Sequence, residues 1–180
     1  LSLVNSKDPL GSLKALNIVP LSISYEYDPC DYLKAKEYQL KRDFLDYKKS
    51  NQDDLENMLT GIVGYKGKVH FKLGKPINED IDTISEEDNK AIILQDVANL
   101  IDEEIFRNYD FFPHNYVAYD LVNDSDSYSD KYSPAEKENF VAYVNKQVEK
   151  IDIPNKDTYF LKEKIIEMYA NTLINHLTVV

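Results

Sequence analysis

The chain has one cysteine, no tryptophan and only five glycines among 180 residues. A single thiol cannot form an intrachain disulfide, which removes the main marker of a secreted, cross-linked domain. Asp28 and Asp31 flank that thiol, Cys30, and would raise its pKa, so it reads as a small apolar residue near a helix start. No stretch approaches the ~18 apolar residues of a membrane span. The best, Ala15 to Tyr25, is broken by Asn17, Pro20 and two serines. No signal-peptide pattern is present. Phosphate-cradling glycine patterns are absent, and three scattered histidines with one cysteine give no zinc spacing. The opening Leu-Ser-Leu-Val reads like a piece of something longer.

Against those absences stand ordinary globular proportions, 43% apolar and 29% charged, with 14 tyrosines. A chain of this size can bury a sizeable core. The net charge of −11 is unevenly placed: residues 1–75 carry a net +2 and residues 76–180 a net −13. Nucleic acid would be repelled by the second part, so no nucleic-acid partner is expected. An anionic partner would have to meet the first part.

Two strands are expected, over about residues 15–27 and 66–77. In the first, Ile18, Leu21, Ile23 and Tyr25 alternate with small polar residues, and Pro20 marks the strand start or a bulge. In the second, Val69, Phe71 and Leu73 share one face and Lys68, His70 and Lys72 the other. Between them, Asp28-Pro29-Cys30-Asp31 reads as a helix start with Asp28 as N-cap and Pro29 at the first position, running to about Tyr47. That helix is basic and tyrosine-rich; Lys34, Lys36, Lys41 and Arg42 are its candidate contacts for an anion or a membrane surface. Ser50 to Asp53 opens a further helix, ended by Gly61 and Gly64.

Beyond residue 80 the pattern turns helical. Thr83-Ile-Ser-Glu86 and Ser133-Pro-Ala-Glu136 match capping boxes, and Asn155 or Asp157 caps a last helix. Ile93, Val97, Leu100, Ile101 and Ile105 keep helical spacing, as do Val141, Val144, Val148 and Ile151, and then Leu161, Ile165, Tyr169, Leu173 and Leu177. The fold class expected is helix-rich α+β: a small sheet of two or three strands with an inserted helical pair, then a bundle of amphipathic helices. The division expected is residues 1–80 and a helical extension over 81–180.

Candidate chemistry is thin. Glu26, Asp28 and Asp31 form a carboxylate cluster that helix capping mostly explains. Asp124, Asp126 and Asp130 approach calcium-loop spacing, but Ser129 stands where glycine is needed and Ala135 where glutamate is needed, so a solvated loop is expected. No metal is expected. His114 precedes Asp120 by six positions, about 600° of helical turn, which places the two on different faces; an aromatic-rich connection is the expected reading there. His70 reads as a surface residue, and His176 as a cation favoured by a helix C-terminus.

Taken together, Leu16-Asn-Ile-Val-Pro-Leu-Ser-Ile-Ser-Tyr-Glu-Tyr-Asp-Pro and Gly67-Lys-Val-His-Phe-Lys-Leu-Gly-Lys-Pro-Ile77 resemble the C-terminal half of the glycerolipid (lysophosphatidate, or 1-acylglycerol-3-phosphate) acyltransferases. The resemblance covers residues 12–80, and the insertion from Tyr25 to Gly64 is similar to a bacterial subgroup. It implies that Val19, Pro20 and Leu21 form a substrate-pocket block and that Gly74, Pro76 and Ile77 close a strand beside it. It further implies acyl-CoA or acyl carrier protein as co-substrate of the parent protein, a glycerophosphate-type lipid acceptor, no bound cofactor, and a cytoplasmic site, peripheral at the membrane's inner face. The family's His-x-x-x-x-Asp block, which deprotonates the acceptor hydroxyl, is missing here and would lie before Leu1. The fragment alone would then be inactive and, with sheet edges around Ile18 to Ile23 uncovered, prone to dimerise edge to edge. The alternative is a non-enzymatic helical interaction module whose acidic face takes a basic protein.

Overall fold

A computed structural model describes residues 8–85 and 89–180. The described elements run, in order, α1 (Pro9–Ala15), β1 (Leu21–Tyr25), α2 (Asp31–Asp43), α3 (Asn51–Val63), β2 (Val69–Leu73), α4 (Asn78–Ile81), α5 (Lys90–Arg107), α6 (Pro113–Asn123), α7 (Pro134–Glu149) and α8 (Thr158–Leu177). The chain is therefore helix-rich α+β, with one two-stranded sheet and a helical pair inserted between its strands. No helix among the described residues is long and apolar enough to cross a membrane. The chain divides into two compact units. The first takes the residues up to Ser24, His70–Asp110 and His176–Val180; the second takes Tyr25–Val69 and Phe111–Asn175.

In the first unit Asp8 caps α1, its carboxylate accepting from the Gly11 amide at 2.8 Å. This short helix was not expected; it shortens the first strand, whose regular part begins only after Pro20. Leu10 and Leu13 of α1 meet Ile77, Ile81, Ile93 and Val97 in a small core. Asn89 caps α5 by accepting from the Ala91 and Ile92 amides. The capping box expected from Thr83 to Glu86 falls partly outside the described residues.

The second unit holds the larger core: Val117 and Ala118 of α6, Phe140, Val144 and Val148 of α7, and Leu161, Ile165, Tyr169 and Ala170 of α8, around Ala35 of α2. Its helix starts follow the sequence closely. Ser133 and Glu136 form a reciprocal box with Pro134 at the first position, Ser50 and Asp53 form another, and Asp157 caps α8 by accepting from the Phe160 amide. In α7, Phe140 is buried where Val141 was expected, and Val141 is exposed.

Three local readings are corrected. Helix α2 begins at Asp31 with Cys30 as N-cap, not at Pro29, and it ends at Asp43. Asp28 serves the turn before it, accepting from the Cys30 amide at 2.9 Å. Gly61 lies within α3, and only Gly64 ends it. There the backbone is extended, and glycine is required by close approach: a Cβ would come within 2.3 Å of Pro29 Cβ. The segment from His114 to Asp120 is a helix, not a connection.

Candidate functional site

The first unit brings the two resemblance motifs together. Gly74 donates its amide to the Pro20 carbonyl at 2.8 Å, and Ile77 donates to Ile18 at 3.1 Å. Pro20 has no N–H to return, so this end of the ladder is bonded from one side only. A Cβ on Gly74 would come within 2.7 Å of Glu104 Cγ, and Glu104 Oε1 accepts from the Lys75 amide at 2.9 Å. A side chain at position 74 would have to displace the Glu104 side chain of α5, which lies behind the strand end. Ile77 is buried, whereas Val19 and Leu21 are exposed. The groove beside Gly74, Lys75 and Pro76 encloses about 530 Å³ and carries Lys72, Lys75 and Arg107 against Glu79, Asp80, Glu103 and Glu104. With more carboxylates than cations it does not concentrate anions.

The sheet is turned inside out. Gly74 with Pro20 and Lys68 with Glu26 set an antiparallel register that places Leu21 opposite Leu73 and Ile23 opposite Phe71. All four of these apolar side chains are exposed, Phe71 and Leu73 to 67% and 72%. The buried face carries serines instead: Ser22 Oγ donates to the Ile105 carbonyl at 2.7 Å, and Ser24 Oγ accepts from the Asp110 amide at 2.9 Å. His70 Nδ1 meets the Asp110 carboxylate. A carboxylate orienting an imidazole is one half of a general base, but about half of each side chain is open to solvent. Sequence reading missed this pair, since no local signal links residues so far apart along the chain.

In the second unit α2 presents three of its four candidate cations already partnered. Lys34 pairs with Asp28 at 2.6 Å, Lys41 with Glu37 at 2.7 Å, and Arg42 with Asp43 and Asp157 at 2.7 and 2.9 Å. Lys34 and Lys41 line one groove of about 490 Å³ with Tyr38, Met168 and Asn171. Lys36 lines a different cleft, beside Asp53 and Glu56. The four candidate cations therefore do not converge on one anion site.

The carboxylate cluster at the helix start also disperses. Glu26 accepts from the Lys68 amide at 2.8 Å, Asp28 holds Lys34, and Asp31 turns into the core. Among the described residues no group of histidine, cysteine, aspartate or glutamate could hold a metal ion. Burial, then Asp28, pushes the Cys30 thiol up, away from nucleophilic use.

Asp31 is the centre of a network that sequence reading missed. Its Oδ2 accepts from Tyr143 Oη at 2.7 Å and from Tyr169 Oη at 2.9 Å, and its Oδ1 accepts from the Tyr32 amide at 2.5 Å. Tyr169 Oη in turn accepts from the Asp28 amide at 3.0 Å. Burial raises the Asp31 carboxyl above its ordinary value, although the two tyrosine hydroxyls pull against the shift. Burial and then the Asp31 charge raise both tyrosines. His114 lies in the same aromatic cluster, stacked on Tyr27 and Phe140 and edge-on to Tyr169. Its Nε2 is buried without a hydrogen-bond partner, and burial pulls its pKa down to about 4. A surplus of tyrosine was the only sequence signal for this network.

Asp120 does not orient His114. It accepts from Ser125 Oγ at 2.9 Å, from Tyr132 Oη at 2.8 Å and from the Tyr128 amide at 3.1 Å, so it ties down the loop that follows α6. The loop carrying Asp124, Asp126 and Asp130 is a turn organised by Asp120, with Asp124 in the left-handed region at φ 47°. Asp120→Ala should cost about 1–3 kcal/mol, because three half-buried donors lose one buried acceptor. Urea unfolding measures that loss, and limited proteolysis should find new cuts between residues 124 and 132. An unchanged cutting pattern would show that the loop holds itself.

Comparison of the chain with family models, with curated proteins and with solved structures found no match.

Proposed function

We propose that this chain is the C-terminal part of a glycerolipid acyltransferase-like enzyme. The whole protein would transfer an acyl group from acyl-CoA or an acyl carrier protein to a glycerophosphate-type acceptor, peripherally at the cytoplasmic face of a membrane. The observation that carries this reading is the strand pairing. The Val19-Pro20-Leu21 and Gly74-Lys75-Pro76-Ile77 motifs lie on opposite sides of a two-helix insertion in sequence, yet they are hydrogen-bonded to each other. The apolar sheet face beside them suits a hydrocarbon chain or further strands better than water. In this role the chain supplies a wall and not the reacting groups. A helical interaction module is the second reading, favoured by the apolar stripe that α3 turns outward.

The test begins with the intact mass of the natural product in its own cells. A product longer by about 100 residues or more, with His-x-x-x-x-Asp in the added part, supports the acyltransferase. Acyl transfer by that protein should vanish when the block's histidine becomes alanine and survive His70→Ala. A natural product lacking the block overturns the reading and leaves the interaction module.

A further inference from the structure

Helix α3 has its amphipathicity reversed. Asp53, Asn57, Thr60 and Gly61 are the half-buried positions, and none of its residues is buried. Cys30 Sγ lies 3.4 Å from the Asn57 carbonyl, and an added Cβ at Gly61 would meet the same sulfur at 3.6 Å, so this polar, small-residue side faces the unit. The opposite side carries Leu55, Met58, Leu59 and Ile62 at the spacing of a helix–helix seam, with Val63 and Tyr65 beside them. These six residues are between 59% and 76% exposed. A monomer in water has no physical reason to hold its polar stripe inward and its apolar stripe outward.

We infer that α3 is the seat of a twofold contact between two copies of this chain, packed antiparallel about an axis between Met58 and Leu59. Three observations select this occupant. The stripe is self-complementary: reversal about that axis sets Leu55 against Ile62 and Met58 against Leu59 of the second copy, which is the arrangement an isologous interface requires. The ends are compatible in charge. Asp53 and Asp54 stand in the first turn, Asp54 paired with Lys49, while Lys66 Nζ donates to the Ile62 and Gly64 carbonyls at the other end, so antiparallel packing sets no like charges together and opposes the helix dipoles. The six side chains present on the order of 700 Å² of mostly apolar surface, an upper bound on what this contact buries, which makes a small interface beside the roughly 800 Å² per partner of a standard one. A lipid surface fits less well, because α3 has an acidic first turn and no lysine or arginine, whereas interfacial helices carry a basic polar face. This inference does not depend on the acyltransferase reading, and its test involves no acyl transfer.

The experiment is the solution mass of the full chain by light scattering and sedimentation from low to high micromolar concentration. A concentration-dependent dimer is expected. Leu59→Glu, entered twice per dimer, should raise its dissociation constant by about 100-fold or more. Leu59 is exposed, so the variant should keep its helical circular dichroism. Phe71→Glu, on the sheet face, should leave the dimer intact and so separates this contact from sheet-mediated association. In a Cys30→Ser background, Met58→Cys should oxidise to a covalent dimer. A monomer at every concentration, or a dimer indifferent to Leu59→Glu, overturns the inference. So does a monomer that instead binds phosphatidylcholine vesicles through Leu59, which would make lipid the occupant.

Discussion

Replacing Asp31 with alanine is expected to cost about 3–5 kcal/mol, a large share of what holds a domain of this size together. The substitution removes the acceptor shared by Tyr143 and Tyr169 and leaves their hydroxyls, 3.1 Å apart, without the carboxylate, although Tyr169 still accepts from the Asp28 amide and Tyr143 keeps its contact with Gln147. Each buried hydroxyl left poorly paired costs about 1–3 kcal/mol. Alanine's better helix preference returns at most about 0.7 kcal/mol. Asp31→Asn keeps an acceptor oxygen and should lose much less. Urea unfolding, read as a shift in midpoint with an unchanged slope, measures both. A loss below about 1 kcal/mol for the alanine variant would mean that the two tyrosines find other partners. The Asn variant also tests the sign of the pH effect. Because the folded Asp31 carboxyl titrates above its ordinary 3.8, the folded chain binds the proton more tightly than the unfolded chain. Stability should therefore fall as pH rises from 3.8 through the folded value, and that contribution should be missing in Asp31→Asn.

His114 acts in the opposite direction. The unfolded imidazole takes a proton near 6.5, and the folded ring resists until about 4, held neutral by burial among Tyr27, Phe112, Phe140 and Tyr169. Between those values the unfolded state binds more protons, so stability is full above the unfolded pKa and is lost as pH falls toward the folded one. The whole loss is about 3 kcal/mol. It should appear as the difference between the wild-type chain and His114→Phe in urea unfolding from neutral to mildly acid pH. Equal slopes for the two proteins would place a charged His114 in the folded state.

The sequence announced the elements whose signals are local. Ser133-Pro-Ala-Glu136, Ser50 with Asp53, and Asp157 each sit at the helix starts they foretold, because a cap is made by residues a turn apart. Alternation in the second strand correctly put Val69, Phe71 and Leu73 on one face. Periodicity identifies a stripe but not which side faces inward, and here both β1 and α3 turn the unexpected side to the protein. The reading of Asp28 as the N-cap failed for a related reason, although Asp31 does stand in the first turn. Either aspartate satisfies the local pattern, and only Tyr143 and Tyr169, more than a hundred residues away, decide which is drawn into the core. The site candidates on α2 were legible as cations, but their carboxylate partners Asp28, Glu37 and Asp157 were not legible as partners.

The serine-lined side of β1 has a thermal consequence. Apolar contacts weaken on cooling, because burying hydrocarbon carries a large heat-capacity change, whereas exchanging hydrogen bonds with water changes it in the opposite sense. Ser22 on the Ile105 carbonyl and Ser24 under the Asp110 amide therefore tether the strand through contacts that cold does not loosen. An apolar partner set on Leu21, Ile23, Phe71 and Leu73 on the other side would be held less tightly in the cold, while the strand's own tethers keep their strength.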